Sequence, residues 1–154
     1  MKKNNSLASV IIVNYNNSRY LKRSINSVIN QSYVNTELIV VDNNSNDGSI
    51  EIIKKFKDKL KLISNKKRNI YGCFNQIDCI KMGLKESKGK IIFFLDSDDF
   101  FRKNKISILM NEFNNKNYKV IFDKSIFYYN KKNQKKINLV KRTNFITPWP
   151  RFYS

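Results

Sequence analysis

The sequence predicts an α/β chain built on a mostly parallel central sheet flanked by helices. Three observations lead there. Short apolar runs rich in β-branched residues alternate with segments whose apolar residues recur at helical spacing, the pattern of successive β-α-β units. Within the runs the apolar positions are consecutive, as in strands covered on both faces. The strongest runs end in clusters of Asp, Asn and Ser, and open α/β sheets bind ligands beyond the carboxyl ends of their strands.

The first strand is predicted over 9–13 (S-V-I-I-V). A polar loop from Asn14 follows, and Ser18 is placed to cap a helix with Leu21, Ile25, Val28 and Ile29 on one face. The second strand is expected over 37–41, ending in Asp42. Asn43 to Gly48 is turn-rich, and Asp47 or Ser49 can cap a second helix that turns Ile50, Ile53 and Phe56 inward. A third strand is predicted over 60–63, then a third helix carrying Ile77, Ile80 and Leu84, with Gly89 as its C-terminal stop. The fourth strand, 90–95 (K-I-I-F-F-L), is the most apolar and runs straight into Asp96-Ser97-Asp98-Asp99. A fourth helix places Ile106, Leu109, Met110 and Phe113 on one face. Strands are expected at 119–122 and 125–129, with 137–140 returning across a polar turn. Near the end, Pro148 and Pro150 bar helix and inner strand alike, and Trp149, Phe152 and Tyr153 have no following element to cover them. The expectation is a single domain over 1–154 whose C-terminal part is interrupted.

A chain of 154 residues can bury a core without disulfides or zinc. Its 30 Lys and Arg against 12 Asp and Glu leave a net charge of +18. A polyanion or an anionic membrane is one partner that charge fits. The alternative is codon usage: 24 Lys against 6 Arg, with 23 Asn, is the mix an AT-rich genome favours, and the basic residues are dispersed rather than clustered. No nucleic-acid partner is expected. The absence of histidine excludes Ser-His-Asp triads, zincin motifs and His metal sites. Cys73 and Cys79 lack C-x-x-C spacing and are expected to be small core residues of a reducing compartment. No apolar run reaches the ~18 residues of a membrane span, and the N-terminus has no signal-type apolar region. These features place the protein in the cytoplasm, with peripheral contact at the inner face of the membrane left open by its charge.

Three polar clusters carry the candidate chemistry. Asp96, Asp98 and Asp99 put three carboxylates in four residues, a repulsion that a divalent cation relieves. Mg2+ or Mn2+ takes oxygen ligands and commonly bridges one or two carboxylates to a substrate's phosphates. The alternative is an acidic N-terminal cap for the fourth helix. Asp42 and Asn43 open a loop whose carboxylate and amides could read a uracil edge or ribose hydroxyls, or simply form an Asx turn and a helix cap. Asn14 and Tyr15 follow the first strand, where Tyr15 can pack on a nucleobase or merely shape the turn. What unites the three is that they end strands one, two and four on one edge of one sheet. There is no G-x-G-x-x-G and no G-x-x-x-x-G-K-[ST]. With 4 glycines in all, a backbone phosphate cradle is excluded and phosphate charge is left to a metal.

S-V-I-I-V-N-Y-N (9–16), V-V-D-N-N-S-N-D-G-S (40–49) and G-K-I-I-F-F-L-D-S-D-D (89–99), in that order, resemble glycosyltransferase family 2. The resemblance runs over about residues 7–115 and includes the helix L-K-R-S-I-N-S-V-I-N-Q-S-Y (21–33). It implies the GT-A fold, a Rossmann-like sandwich, with 7–115 as the nucleotide-sugar-binding core and 116–154 as the start of an acceptor-side region. It implies transfer of a sugar from a nucleotide-sugar donor of UDP-hexose type, usually with inversion, to a saccharide or lipid-linked acceptor in cell-surface polysaccharide or glycoconjugate synthesis. Carried over by position, Val13, Asn14, Tyr15, Asp42, Asn43, Asp96 and Ser97 would contact the donor, and Asp96, Asp98 and Asp99 would hold Mn2+ or Mg2+. Two departures stand out: Asn43 replaces the second of two adjacent aspartates, and Val13 replaces a proline. Past Asp99 only Glu112 and Asp123 are acidic, neither in a recognisable base motif, so no catalytic base is assigned. A truncated or inactive donor-binding relative, or a basic polyanion-binding module, are the competing expectations.

Overall fold

The computed structural model describes residues 6–67, 72–115 and 120–121. In chain order these form β1 (Ala8–Asn14), α1 (Ser18–Ile29), β2 (Thr36–Asp42), α2 (Ser49–Lys54), β3 (Lys61–Ser64), α3 (Gly72–Glu86), β4 (Ile91–Asp96) and α4 (Lys105–Asn115). The strands make one sheet in the order β3-β2-β1-β4, parallel at every pairing. The predicted α/β architecture is therefore present, with each strand bound moved by one residue. The strands expected at 125–129 and 137–140 lie outside the described residues. Of 119–122 only Val120 and Ile121 are described, and they are in no strand. None of the described helices is long and apolar enough to cross a membrane.

Topology follows from the handedness of parallel crossovers. From β1 through α1 to β2, and through α2 to β3, the chain steps in one direction, and right-handed connections keep both helices on one face. From β3 the chain returns past β1 to β4, in the opposite direction, so the same handedness puts α3 on the other face. The core divides accordingly. Val10, Ile12, Val40 and Leu95 meet Leu21, Ile25 and Val28 of α1, Ile53 of α2, and Ile106 and Met110 of α4. On the far face Ile11, Ile39 and Val41 meet Cys79 of α3. Alternate residues of the consecutive apolar runs thus serve opposite layers, which is why the strands lack a polar face. Burying one such Leu or Ile side chain contributes roughly 1.5–3 kcal/mol.

α3 departs from its expected face. Ile77 and Leu84 are exposed, and the buried seam is Asn75, Cys79 and Gly83, spaced four apart. The reason is closeness to the sheet. A Cβ at Gly83 would lie 2.6 Å from Ile11 Cγ2 and 3.3 Å from Val41 Cγ2, so only small side chains fit beneath. Cys73 is exposed rather than a core residue; Cys79 alone of the two thiols is buried.

Gly89 is not a helix stop, since α3 ends three residues earlier. It lies against the start of β1, where a Cβ would come within 2.5 Å of the Ser9 nitrogen. Its N–H donates to Ser9 Oγ at 2.7 Å and to Glu37 Oε1 at 3.0 Å. Nor does Ser18 cap α1. Asn17 is the N-cap and makes no side-chain cap bond, while the Ser18 N–H donates to Asp47 Oδ2, 2.7 Å away in the next loop. Asp47 serves α2 as well, its Oδ1 accepting from the Ser49 N–H at 3.1 Å and the Ser49 hydroxyl at 2.6 Å. The α2 N-cap itself is Gly48, whose φ of 88° suits a residue without a Cβ.

Candidate donor site at the strand ends

The parallel register pairs Asn14 with Asp42 and Val13 with Asp96, so the ends of β1, β2 and β4 lie side by side. The loops after β1 and β2 are bound into one unit. Asn14 Nδ2 donates to Asp42 Oδ1 at 2.8 Å and to Ser45 Oγ at 3.1 Å. Ser45 donates through its hydroxyl to Asp42 Oδ1 at 2.7 Å and through its backbone N–H to Asp42 Oδ2 at 2.9 Å. The Asn16 N–H donates to Ser45 Oγ, and the Asn46 N–H to Asn16 Oδ1. Asn16 and Asn44 adopt left-handed backbone at φ 50° and 57°, a conformation asparagine tolerates better than most residues.

Asp42 is only 1% exposed, and both its oxygens accept bonds from this loop. It organises the loop from within. Asn43 is 5% exposed, and its Oδ1 accepts from Asn65 Nδ2 at 3.0 Å. Asn65 follows β3; its backbone N–H donates to the Asp42 carbonyl at 2.7 Å and its Oδ1 accepts from the Lys67 N–H at 3.2 Å. Asn14 Oδ1 is buried and, among the described residues, has no partner. Tyr15 stands at the same edge, 40% exposed. Val13 packs against the cluster on the α3 face.

At the end of β4 the carboxylates of Asp96, Asp98 and Asp99 all reach the surface. Burial by the atoms packed around it pushes the Asp96 carboxyl above its ordinary pKa, and the charges of Asp98 and Asp99 push the same way. The ion pairs formed among the described residues, Lys61 with Glu86 and Lys81 with Asp78, involve none of these three. Arg23 comes near, but its Nη2 donates to the Asp98 backbone carbonyl at 2.8 Å, and its guanidinium lies over the Phe100 ring. Ser97 is buried, and its hydroxyl accepts from Asn17 Nδ2 at 2.8 Å, fastening this turn to the start of α1.

The alternative of an acidic helix cap does not hold. α4 begins at Lys105 with no acid in its first turn, and Gln31 Oε1 accepts from the Ile106 N–H at 3.0 Å. Among the described residues, the acidic cluster thus carries charge that no ion pair neutralises. That chemistry fits a divalent cation, but not a closed protein cage: among the described residues, no three His, Cys, Asp or Glu side chains converge to hold one. A cation here would need further oxygen ligands from a substrate.

The expected residues do share one edge, but in two groups. Asn14, Asp42 and Asn43 form a buried polar network, while Asp96, Asp98 and Asp99 form a separate exposed one. Sequence reasoning missed Asn65, Ser45 and the roles of Asn17 and Asp47. Asn65 carried a readable signal, because it follows an apolar run as Asn14 and Asp42 do. A surface depression of 690 Å3, lined by residues including Ser27, Gln31, Phe101 and Lys103, lies beside α1 and includes no member of the three strand-end clusters.

The family described as Glycosyl transferase family 2 matches residues 9–153. The chain is 35% identical over 125 residues to the UDP-Glc:alpha-D-GlcNAc-diphosphoundecaprenol beta-1,3-glucosyltransferase WfaP of Escherichia coli, covering 81% of this chain and 47% of that protein. It is 37% identical to the poly(ribitol-phosphate) beta-N-acetylglucosaminyltransferase TarP of Staphylococcus aureus, over 67% of this chain and 32% of TarP. The fold is similar to the crystal structure of S. aureus TarS 1-349 in complex with UDP-GlcNAc, with a TM-score of 0.61 and 26% identity over 71% of this chain and 31% of that one. The chain matches 32–47% of the length of such curated relatives.

Proposed function

Because the chain belongs to glycosyl transferase family 2 and has its GT-A architecture, we propose that it binds a nucleotide-sugar donor along the carboxyl edge of its sheet and takes part in transferring the sugar to an acceptor hydroxyl. The observation that carries this reading is the register that pairs Asn14 with Asp42 and Val13 with Asp96, setting the ends of β1, β2 and β4 side by side. One end of that edge offers neutral amides and an exposed tyrosine, suited to a nucleobase. The other offers uncompensated carboxylates, suited to a cation on a diphosphate. A UDP-hexose is the favoured donor, in keeping with the UDP-Glc of WfaP's name and the UDP-GlcNAc bound to TarS. A saccharide or lipid-linked acceptor of cell-surface glycan synthesis fits the same relatives.

In this reading Tyr15 and Asn43 face the base, and Asp42, held by Asn14 and Ser45, keeps their loop in shape. Asp96 borders the ribose and, with Asp98 and Asp99, would supply part of the oxygen ligands of Mn2+ or Mg2+, the donor's phosphates supplying the rest; Val13 and Ser97 set the backbone on either side. The cation would stabilise the negative charge of the departing diphosphate. Transfer with inversion requires a carboxylate base near the acceptor, and no residue of 1–154 is assigned to it.

Calorimetric titration of UDP into the protein, with and without Mn2+, tests the proposal. UDP is expected to bind with Mn2+ and at least tenfold more weakly without it. An Asp98→Ala variant is expected to behave as the metal-free protein does. Absence of heat for the wild type rejects the donor site, and unchanged affinity in Asp98→Ala rejects the metal assignment.

A further inference from the structure

Resting on that reading, we propose that Asn65 sets which way the Asn43 amide faces, so that the base position offers hydrogen-bond donors and selects a ring carbonyl over an exocyclic amine.

The Lys67 backbone N–H can only donate, and Asn65 Oδ1 accepts from it at 3.2 Å. This orients the Asn65 amide and turns its Nδ2 toward Asn43, at 3.0 Å. A nitrogen that donates requires an acceptor, so Asn43 presents its Oδ1 inward. Two amides in series thus transmit the polarity of one backbone N–H. A third contact has the same sense, since Asn65 Nδ2 also lies 3.7 Å from Cys79 Sγ, a weak acceptor.

The Asn43 Nδ2 is left with two hydrogens and no acceptor among the described residues. The one buried side-chain polar atom without a partner there is Asn14 Oδ1, so the Asn43 nitrogen is not sealed away from ligand. An aspartate at this position would offer only acceptors and suit a ring N–H. Asn43 in its observed orientation offers a donor and suits a carbonyl. The proposal places the Asn43 donor at ring position 4, where uracil carries O4 and cytosine an N4 amine, and not at O2, which both rings share, or at N3, which accepts in cytosine; a donor facing an amine leaves both unsatisfied. Asn65 is therefore a positioning residue acting through Asn43, and together they favour uracil.

Affinities of the full chain for UDP and CDP with Mn2+, in the wild type and in Asn65→Asp, test this. The replacement is isosteric and still accepts from Lys67, but it cannot donate to Asn43, whose amide should turn over. Wild type should prefer UDP by about tenfold or more, and Asn65→Asp should reduce that preference to within about threefold. A loss of packing alone would weaken both nucleotides alike and leave their ratio unchanged. UDP binding with no wild-type preference over CDP, or a preference that survives in Asn65→Asp, overturns the inference while leaving the donor site standing. Failure of both nucleotides to bind wild type removes the donor site and the inference together. Should Asn65→Asp not fold, the 1H–15N side-chain amide pair of Asn43, assigned by its loss in Asn43→Asp, decides the matter: it must shift on UDP addition, and a stationary pair in UDP-bound protein refutes the proposal.

Discussion

Asp47 shows how much one side chain can hold. Burial acts to raise its pKa, but the hydrogen bonds from Ser49 and Ser18 together outweigh it and bring the value down to about 2. A folded-state value below the ordinary 3.8 means that its stabilisation is complete above roughly pH 4 and is lost as pH falls toward 2. Asp47→Ala should cost about 1–2 kcal/mol near neutral pH, the scale of a lost helix cap. Thermal melts of wild type and variant between pH 5 and pH 2 check this, and the two should converge at the acid end. At this scale the sequence was partly legible. Asp42, Asn43 and Asp47 announce themselves as a polar strand end. What it conceals is the division of labour: Asp42 turned inward, Asn43 held by Asn65, Asp47 spanning two helices. Those roles depend on side chains 22 to 29 positions apart, which no local pattern relates.

Among the elements, α3 was the hardest to read. Its apolar residues recur at helical spacing, and periodicity assigns the bulky ones to the interior. Periodicity carries no information on how near the helix lies to the sheet, and here that distance decides. With Gly83 already so close to Ile11 that a Cβ would clash, Gly83→Leu should destabilise the protein by about 1–3 kcal/mol. Chemical denaturation would read this as a lower midpoint with an unchanged slope. The other elements were legible because consecutive β-branched runs and one-sided helices have few alternatives. Helix starts were less so: Asp47 and Gln31 cap α1 and α4 from other segments, a tertiary solution invisible to a search for local cap residues.

For the molecule as a whole, charge is the dominant unsatisfied term. With a net +18, and ion pairs among the described residues confined to two exposed ones, the basic side chains repel each other more than they are neutralised. Raising NaCl from about 10 to about 150 mM shortens the Debye length from ~30 to ~8 Å, so the melting temperature should rise by a few degrees. A fall would show that specific attractions outweigh the repulsion. The overall architecture was readable from the alternation of runs and helices, but the strand order was not. Nothing in the composition of β4 says that it pairs with β1 rather than β3, and it is this pairing that brings the acidic turn to the same edge as the amide loops.

That order has a consequence for how a ligand is laid out. Adjacent strands are ~4.8 Å apart, so β2 and β4, on either side of β1, are separated by about 10 Å. A donor following the edge would have its base on one flank and its charged linkage on the other, leaving the hexose to project past β4. Phe94 stands on that margin with half its surface in solvent. In the proposed reading the group receiving the sugar would approach from there, and the sequence of strands would work as a ruler that separates recognition of the nucleotide from delivery of its cargo.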